Sequence, residues 1–247
     1  MARLSVNLNK IALLRNSRRT GVPDLRSFAR MAVDAGARGI TVHPRPDERH
    51  IRRSDVPMLA DAIAAWRPRV ELNIEGYPDA RLLAIAAEVR AEQCTLVPDA
   101  PDAFTSEEGF KLHAEQMALV RPAIAALKAL GARVILFIDP DPSVLERIAP
   151  SGADGVEIYT GSYAAAFRDG TQDRWLEACA ATARAAAERG LVVNAGHDLN
   201  LQNLPPLVAA MPNLAEASIG HELTADALVM GFAAAVSAYA KALAGTA

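Results

Sequence analysis

The amino-acid sequence predicts an α/β protein: a single (β/α)8 TIM barrel with extra helices, spanning residues 1–247. Three observations lead to this prediction. Short runs of β-branched and apolar residues alternate eight times with alanine-rich amphipathic segments. Eight such units fill about 250 residues, the usual size of this barrel. The short runs are continuously apolar, as expected for parallel strands that helices cover.

Eight strands are predicted, bounded by polar or turn-forming residues. In chain order they are Leu4–Leu8, Gly39–His43, Val70–Ile74, Cys94–Val97, Val134–Ile138, Val156–Thr160, Val192–Ala195 and Ala217–Ile219. The alternative arrangement is an open, doubly wound sheet. No Gly-x-Gly-x-x-Gly turn follows the first strand, so a dinucleotide-binding fold of that kind loses support.

Segments with helical spacing separate the strands. The predicted helices are Leu25–Ala35, Asp55–Trp66, Asp79–Ala91, Glu108–Leu130, Ser143–Ala149, Arg174–Arg189, Leu201–Ala210 and Thr224–Leu243. Three glycines can end helices in the left-handed conformation, namely Gly36, Gly131 and Gly190. Three hydroxyl residues are N-cap candidates, namely Ser54, Ser143 and Thr224. The long Glu108–Leu130 helix and the long Gly161–Gln172 connection are predicted additions to the basic barrel.

The composition argues against several classes of partner. The net charge is −3 and the isoelectric point is near 6.0, so no basic excess favours nucleic acid or a membrane surface. Cys94 and Cys179 lie far apart and form no disulfide framework, which indicates a reducing cytoplasm. The N-terminus lacks the apolar core of a signal peptide. The alanine-rich segment 225–243 contains charged residues, so we expect a packed helix there and no membrane span.

The carboxyl ends of the predicted strands carry side chains suited to acid and base chemistry. They include His43, Glu75, Glu157, His197 and His221. In a barrel these ends form one mouth, where catalytic residues lie. Each residue taken singly is more often structural, as a hydrogen-bonding histidine or a solvated acid. Several acids and bases on one rim nevertheless predict an active site and hence an enzyme.

Two further features indicate anion binding. The loop after His43 offers Arg45, Arg49 and His50. The turns at Gly196 and Gly220 follow the last two strands, where barrels often bind phosphate through backbone N–H groups, although a tight turn alone would also explain both glycines. The histidines are scattered without the spacing of a metal site, so no metal is expected.

Eight motifs run from the first strand to the last. They are Val6–Asn16, Ile40–Arg45, Asp47–Ile51, Asn73–Glu75, Leu96–Pro98, Glu157–Gly161, Asn194–His197 and Ile219–His221. Together they resemble the pyridoxine 5′-phosphate synthase family of vitamin B6 biosynthesis. The resemblance implies a cytoplasmic homo-octamer, built from dimers through the extra helices. It also implies condensation of 1-deoxy-D-xylulose 5-phosphate with 3-amino-1-hydroxyacetone 1-phosphate to pyridoxine 5′-phosphate, phosphate and water, without a metal or organic cofactor.

The resemblance also implies a role for each matching residue. His43 and Glu75 would be general bases and His197 a general acid. The aminoketone phosphate would be held by Asn7, Arg18, Gly220 and His221. The deoxyxylulose phosphate would be held by Asn9, Lys10, Arg45, His50 and Thr105. Two further residues would complete the polar surface of the substrate site, Glu157 and Asp198.

The chain departs from the family pattern at three places. Many members have Asp-His where this chain has Asn9-Lys10, histidine where it has Tyr159, and glycine where it has Asp198. Lys10 can still serve an anion as a point charge. Asp198 would place a negative charge beside the expected phosphate site. The loop 98–108 is expected to close over the substrates.

Residues near the second-strand motif receive lesser roles in this interpretation. Arg49 is expected at the surface or in support, and Asp47 and Glu48 are expected to fix the loop. Two alternatives stay open at this point. One is a different phosphate-handling barrel enzyme, and the other is an inactive barrel kept as a binding or scaffold protein. Intact His43 and Glu75 argue against the second.

Overall fold

Eight parallel strands close into a barrel in which each strand pairs with the next in the chain and β8 pairs with β1. The computed structural model describes residues 1–99 and 108–245. The strands are β1 (Arg3–Asn7), β2 (Gly39–Val42), β3 (Glu71–Gly76), β4 (Gln93–Leu96), β5 (Arg133–Ile138), β6 (Gly155–Tyr159), β7 (Val192–Gly196) and β8 (Leu214–Ile219). The predicted barrel is confirmed, and the open sheet is excluded.

The interior of the barrel carries a hydrogen-bonded polar layer. Thr41 Oγ1 lies 2.6 Å from Ser5 Oγ and accepts a 3.2 Å hydrogen bond from Asn73 Nδ2, while Thr95 Oγ1 donates to Asn73 Oδ1 at 3.2 Å. Because side chains alternate along a strand, the apolar residues between these positions face outward. The hydrophobic core therefore fills the layer between the strands and the surrounding helices.

Ten α-helices surround the barrel in the described part of the chain. They are α1 (Asn9–Asn16), α2 (Leu25–Asp34), α3 (Asp55–Ala62), α4 (Ala80–Val89), α5 (Ala114–Ala129), α6 (Gly161–Arg168), α7 (Asp173–Glu188), α8 (Leu204–Ala210), α9 (His221–Met230) and α10 (Phe232–Ala244). Short 3₁₀ helices are Ala64–Trp66, Pro142–Arg147 and Ala149–Ser151. Nowhere in residues 1–99 and 108–245 does a helix combine the length and apolarity needed to cross a membrane.

Two helices were missed by the sequence analysis. Both α1 and α6 follow a strand almost directly and make no side-chain N-cap hydrogen bond. A helix without a capping residue gives little local signal of its start. The first of them packs beside α9, which places it next to the mouth of the barrel.

Several predicted boundaries were wrong. Residues 108–113 do not belong to α5, because the Phe110 N–H bonds the Phe137 carbonyl at 2.8 Å and so follows β5. A 3₁₀ helix replaces the predicted helix at Ser143, and Asp141 caps it by accepting the Ser143 N–H. Thr224 lies inside α9, where its hydroxyl donates to the Gly220 carbonyl.

Other predicted helix ends are confirmed. Gly36, Gly131 and Gly190 each follow a helix with positive φ, at 114°, 87° and 73°. Ser54 occupies the N-cap position of α3, although its side chain makes no capping hydrogen bond. The predicted Thr224–Leu243 helix is in fact two helices, since Gly231 separates α9 from α10 at φ 82° and ψ 145°.

Gly231→Ala tests the break between α9 and α10. A Cβ at this position would meet no atom within 4 Å, so the cost comes from the backbone conformation alone. We expect the free energy of unfolding to fall by about 1–3 kcal/mol. Urea denaturation measures it. Ala234→Gly, at an exposed position within α10, is the control and should cost only about 0.5–1 kcal/mol. Equal stability of wild type and Gly231→Ala would contradict the assignment.

Candidate active site

A cavity of about 400 Å³ opens at the carboxyl ends of the strands. Its lining residues are Asn7, Asn9, Lys10, Leu13, His43, Arg45, Arg49, His50, Glu75, Val97, Phe137, Glu157, Tyr159, His197, Asp198, Leu199, Ser218, Ile219, Gly220, His221 and Glu222. Every predicted site residue lines it except two. Arg18 lies exposed beyond the end of α1, outside the lining, and Thr105 lies outside the described residues.

Two asparagines connect the ends of the first three strands. The Asn9 N–H donates to Asn7 Oδ1 at 3.0 Å, which turns the amide of Asn7 so that its Nδ2 donates to Glu75 Oε2 at 3.2 Å. Asn9 Oδ1 in turn accepts the backbone N–H of His43 at 3.0 Å. These three hydrogen bonds set the positions of the two predicted bases relative to each other.

The Glu75 carboxyl has an environment suited to a base. Burial raises the pKa of Glu75 to about 7, and the nearby Asp99 acts in the same direction. His197, Arg45 and the amide of Asn7 oppose this shift by favouring the ionised form. A carboxyl group with a pKa near neutrality can both accept and return a proton at physiological pH.

The two histidines near β2 are held neutral. Burial, with the positive charge of Arg45 next, lowers the pKa of His43 well below its usual value. Burial and the charges of Arg45 and Arg49 lower the pKa of His50 to about 4. His50 Nδ1 accepts the Ile51 N–H at 2.9 Å, so the neutral ring carries its proton on Nε2. His43 can therefore accept a proton, and His50 can donate a hydrogen bond to an anion.

Arg45 supplies a fixed positive charge beside His43. It pairs with Asp99 at 2.8 Å, and the two side chains are only 4% and 6% exposed. Arg81 donates hydrogen bonds to the carbonyls of Pro44 and Arg45 and so fixes the backbone of this loop. The charge is thus placed before any ligand arrives.

Arg49 lines the cavity, whereas the sequence analysis assigned it to the surface or to support. Asp47 holds it there, since Asp47 Oδ2 accepts from Arg49 Nε at 2.6 Å and Oδ1 accepts from its N–H at 3.2 Å. Glu48 Oε1 accepts the Arg53 N–H at 2.8 Å. Both acids therefore make hydrogen bonds that fix the loop, as predicted, and Asp47 also holds the side chain of Arg49.

A buried network behind this loop fixes its backbone. Arg15 and Asp55 form a bidentate ion pair with distances of 2.6 and 2.8 Å, and the side chains are 8% and 7% exposed. Arg15 Nη2 and Asn16 Nδ2 both donate to the His50 carbonyl, at 3.1 and 2.8 Å. The amide of Asn16 also reaches the carbonyl of Arg49 at 3.1 Å. The conformation of the anion-binding loop therefore depends on α1.

Glu157 forms the acidic wall of the cavity on β6. Its side chain is buried, and burial, reinforced by the charges of Glu75 and Glu216, raises the pKa of Glu157 well above its usual value. Its Oε2 atom has no hydrogen-bond partner among the described residues. Its Oε1 atom lies over Gly196, where a Cβ would overlap it. Burial therefore favours the protonated carboxyl, and this form can donate a proton to a ligand.

The turn after β8 brings the backbone of Gly220 close to Asn7 at the end of β1. A Cβ on Gly220 would lie 3.0 Å from Asn7 Cβ, so glycine permits the close approach of the two strand ends. His221 begins α9, whose first backbone N–H groups have no partner within the helix and can bind an anion. Glu222 also lines the cavity and pairs with Arg168 at 3.7 Å.

Some cavity residues were not predicted. Phe137 and Tyr159 stand beside His197, with ring centroids 6.5 and 5.2 Å from its ring. Tyr159 lies in the Glu157–Gly161 motif, where many family members have histidine, so the sequence carried a signal for it. No such signal marks Phe137, which strand alternation alone does not distinguish from a core residue. Among residues 1–99 and 108–245, no three His, Cys, Asp or Glu side chains are grouped so as to hold a metal ion.

Comparison with known proteins decides the family. The model of the family described as "Pyridoxal phosphate biosynthesis protein PdxJ" matches residues 4–245. The chain belongs to the PdxJ family. The resemblance inferred from the eight motifs is thereby confirmed along nearly the whole chain, and so is the prediction of an enzyme, since the curated relatives of the family are enzymes of vitamin B6 biosynthesis.

Relatives within the PdxJ family are close in sequence. The pyridoxine 5′-phosphate synthase of Albidiferax ferrireducens is 48% identical over 247 residues, covering 98% of this chain and 97% of the relative. The enzyme of the same name from Brucella suis is 49% identical over 245 residues, covering 99% of each chain. A different family of phosphate-handling barrels is therefore not supported.

Solved structures of distant sequence share the barrel. Phosphoribosyl anthranilate isomerase from Thermotoga maritima aligns with a TM-score of 0.63 at 15% identity, covering 99% of this chain and all of that one. The YdjI aldolase from Escherichia coli K12 aligns with a TM-score of 0.64 at 13% identity, covering 98% and 89%. At this identity the likeness concerns the fold alone.

Asp55→Ala tests the network behind the anion-binding loop. The substitution leaves the Arg15 guanidinium buried without its carboxylate, so we expect the free energy of unfolding to fall by about 3–5 kcal/mol. Glu177→Ala, which breaks the exposed pair with Arg184, is the control and should cost less than about 1 kcal/mol. Urea denaturation measures both. Equal losses would show that burial of the Arg15 pair adds nothing.

Proposed function

We propose that the chain is a pyridoxine 5′-phosphate synthase. It condenses 1-deoxy-D-xylulose 5-phosphate with 3-amino-1-hydroxyacetone 1-phosphate and releases pyridoxine 5′-phosphate, phosphate and water. The observation that carries the proposal is one cavity in which a carboxyl with a pKa near 7, a neutral histidine and anion-binding groups meet. Membership of the PdxJ family and the names of its relatives support it.

The proposed roles follow from the protonation states. Joining the amine to the ketone, enolisation, dehydration and aromatic ring closure each move a proton, so each step needs a positioned acid or base. Glu75 and the neutral His43 accept protons from the amine and from carbon. His197 donates to the departing oxygen. Glu157 is a second proton donor, because burial raises the pKa of its carboxyl and so favours the protonated form.

Two phosphate sites are proposed on different parts of the wall. Backbone N–H groups at Gly220 and His221, with Asn7 beside them, suit the aminoketone phosphate. On the adjoining part of the wall, after β1 and β2, the cationic side chains and the Nε2–H of His50 suit the deoxyxylulose phosphate. The residues proposed for this second site are Asn9, Lys10, Arg45, His50 and Thr105, and Arg49 joins them because it lines the same wall.

A homo-octamer built from dimers is also proposed. Its support is an apolar surface that a single chain leaves uncovered, with Leu14 on α1 52% exposed and Leu228 and Val229 on α9 79% and 89% exposed. Exposed apolar surface of this kind is typical of subunit contacts. Arg18 follows α1 closely in the sequence and does not line the cavity of the same chain. We therefore propose that it contacts the phosphate bound by a neighbouring copy. Closure of the loop 98–108 and the cytoplasmic location stay predictions.

The activity has a direct test. Purified protein is mixed with both substrates and no added metal, and the absorbance band of pyridoxine 5′-phosphate is followed together with inorganic phosphate. We expect the two products to appear in equal amounts, and neither to appear when one substrate is omitted. Absence of both products under these conditions would refute the proposed function.

The role of Glu75 predicts a pH dependence. Glu75 is a base only when ionised, so kcat/KM should rise as pH rises through about 7, the pKa of the free enzyme's carboxyl. Glu75→Gln should abolish this limb and lower kcat by roughly 10²–10⁴-fold, while substrate affinity changes much less.

Steady-state kinetics between pH 5 and 9 and a binding titration, roughly bracketing that pKa, measure both effects of Glu75→Gln. Glu88→Gln on α4, where Glu88 pairs with Arg53 at the surface, is the charge-matched control and should keep the wild-type profile. A Glu75→Gln variant that keeps turnover but loses binding would reverse the assignment.

A further inference from the structure

The turn after β7 holds two non-glycine residues in the left-handed region. His197 has φ 93° and Asp198 has φ 56°. Such conformations are uncommon for residues with a side chain and concentrate at functional sites. Aspartate tolerates the region better than most residues. The turn therefore keeps a strained backbone, and that backbone points both side chains into the cavity.

Neighbouring elements hold this strained turn in place. Thr160 Oγ1 lies 2.7 Å from the Gly196 carbonyl and 2.6 Å from the His197 carbonyl, so its hydroxyl can donate to either. Asn203 Nδ2 donates to the Asp198 carbonyl at 3.1 Å from a buried position. Both ends of the turn are fixed, so the relative position of the two side chains is set before a ligand binds.

The two side chains face each other across the turn. Asp198 Oδ1 lies 3.7 Å from His197 Nδ1, which is long for a hydrogen bond and within range of charge attraction. The polar contact with His197 lowers the pKa of the Asp198 carboxyl most, and Arg168 and His221 act in the same direction. Asp198 is therefore ionised throughout the physiological range.

We propose that Asp198 is a positioning residue for the general acid His197, acting through the imidazole and making no contact with substrate phosphate. Its carboxylate lies on the Nδ1 side of the ring and attracts the Nδ1–H. The ring then presents Nε2–H to the reacting oxygen. The inference rests on the proposed function for the identity of the reaction. A phosphate contact is unfavourable for Asp198 because two anions would repel each other.

The proposed proton transfer from His197 to the departing oxygen needs no further reactant. The Nε2–H bond of His197 breaks, the proton goes to the departing oxygen of the substrate, and the electron pair stays on Nε2. The neutral ring keeps its Nδ1–H directed at Asp198, as in other histidine–carboxylate pairs. A proton from solvent restores the imidazolium.

Other charged groups also act on His197. Glu75 on β3 interacts with its charge across the cavity, and Tyr159 on β6 stands 5.2 Å from its ring. Arg168 and His221 act on Asp198 from α6 and α9. Glu157 lies beside Gly196, and burial raises the pKa of its carboxyl. Asp198 Oδ1 lies 3.7 Å from Nδ1, so removing its charge should change how strongly His197 holds its proton.

Asp198→Asn tests the inference, because asparagine keeps the shape and also tolerates the left-handed backbone. We expect kcat to fall roughly 10-fold with KM nearly unchanged, less than the ~10²–10⁴-fold that a general acid itself contributes. The alkaline limb of kcat/KM should move down by about half to one pH unit, since the imidazolium loses a stabilising charge. Asp198→Gly should lower kcat and shift the alkaline limb in the same way. Glu177→Gln, at a remote exposed site, is the control and should leave kcat and the alkaline limb unchanged.

A titration of the His197 ring by ¹⁵N NMR gives a second readout that needs no turnover. The imidazolium signal should vanish at lower pH in Asp198→Asn than in wild type. If Asp198→Asn lowers KM and leaves the alkaline limb of kcat/KM unchanged, the proposal is overturned, and the Asp198 charge instead lies beside the substrate phosphate. A fall in kcat with unchanged limb and titration would overturn it in favour of a structural role. If wild type forms no product, the proposed function fails, and the titration alone still decides the pairing.

Discussion

Closure of the barrel by the hydrogen bonds between β8 and β1 is the constraint on which the site depends. It brings the turn at Gly220 against Asn7, residues that stand at opposite ends of the chain. Because all eight strands are parallel, their carboxyl ends meet at one mouth, and residues from every strand end or the turn after it line one cavity. Hydrogen bonds from Asn7 to Glu75 and from the His43 N–H to Asn9 then fix the positions of the two proposed bases.

Burial within that mouth decides which groups carry protons. The pKa of Glu75 is raised to about 7, that of His43 is lowered and that of Glu157 is raised, in each case chiefly because the charged form loses water. Fixed charges from Arg45 and Asp99 adjust these values. Acids and bases of closely similar chemistry thus receive different protonation states from their surroundings, which is what a sequence of proton transfers requires.

Side chains outside the cavity form hydrogen bonds that hold the backbone of the loops lining it. The ion pair of Arg15 with Asp55 and the amide of Asn16 bind carbonyl groups of the loop that carries His50. Thr160 and Asn203 bind the turn that carries His197. Residues that never reach a ligand therefore set the positions of those that do, since a loop carrying charged groups needs a fixed backbone to present them.

The sequence by itself determined the strand count, the barrel and most of the cavity residues, because strand periodicity and polar residues at strand ends are local signals. It did not determine where α9 ends, because one glycine at φ 82° broke a continuous apolar pattern. It also placed Arg49 at the surface or in support, whereas Arg49 lines the cavity. Only the tertiary structure decided these points and the protonation of Glu75, because each depends on burial and on charges that lie far apart in the chain and meet when the barrel closes.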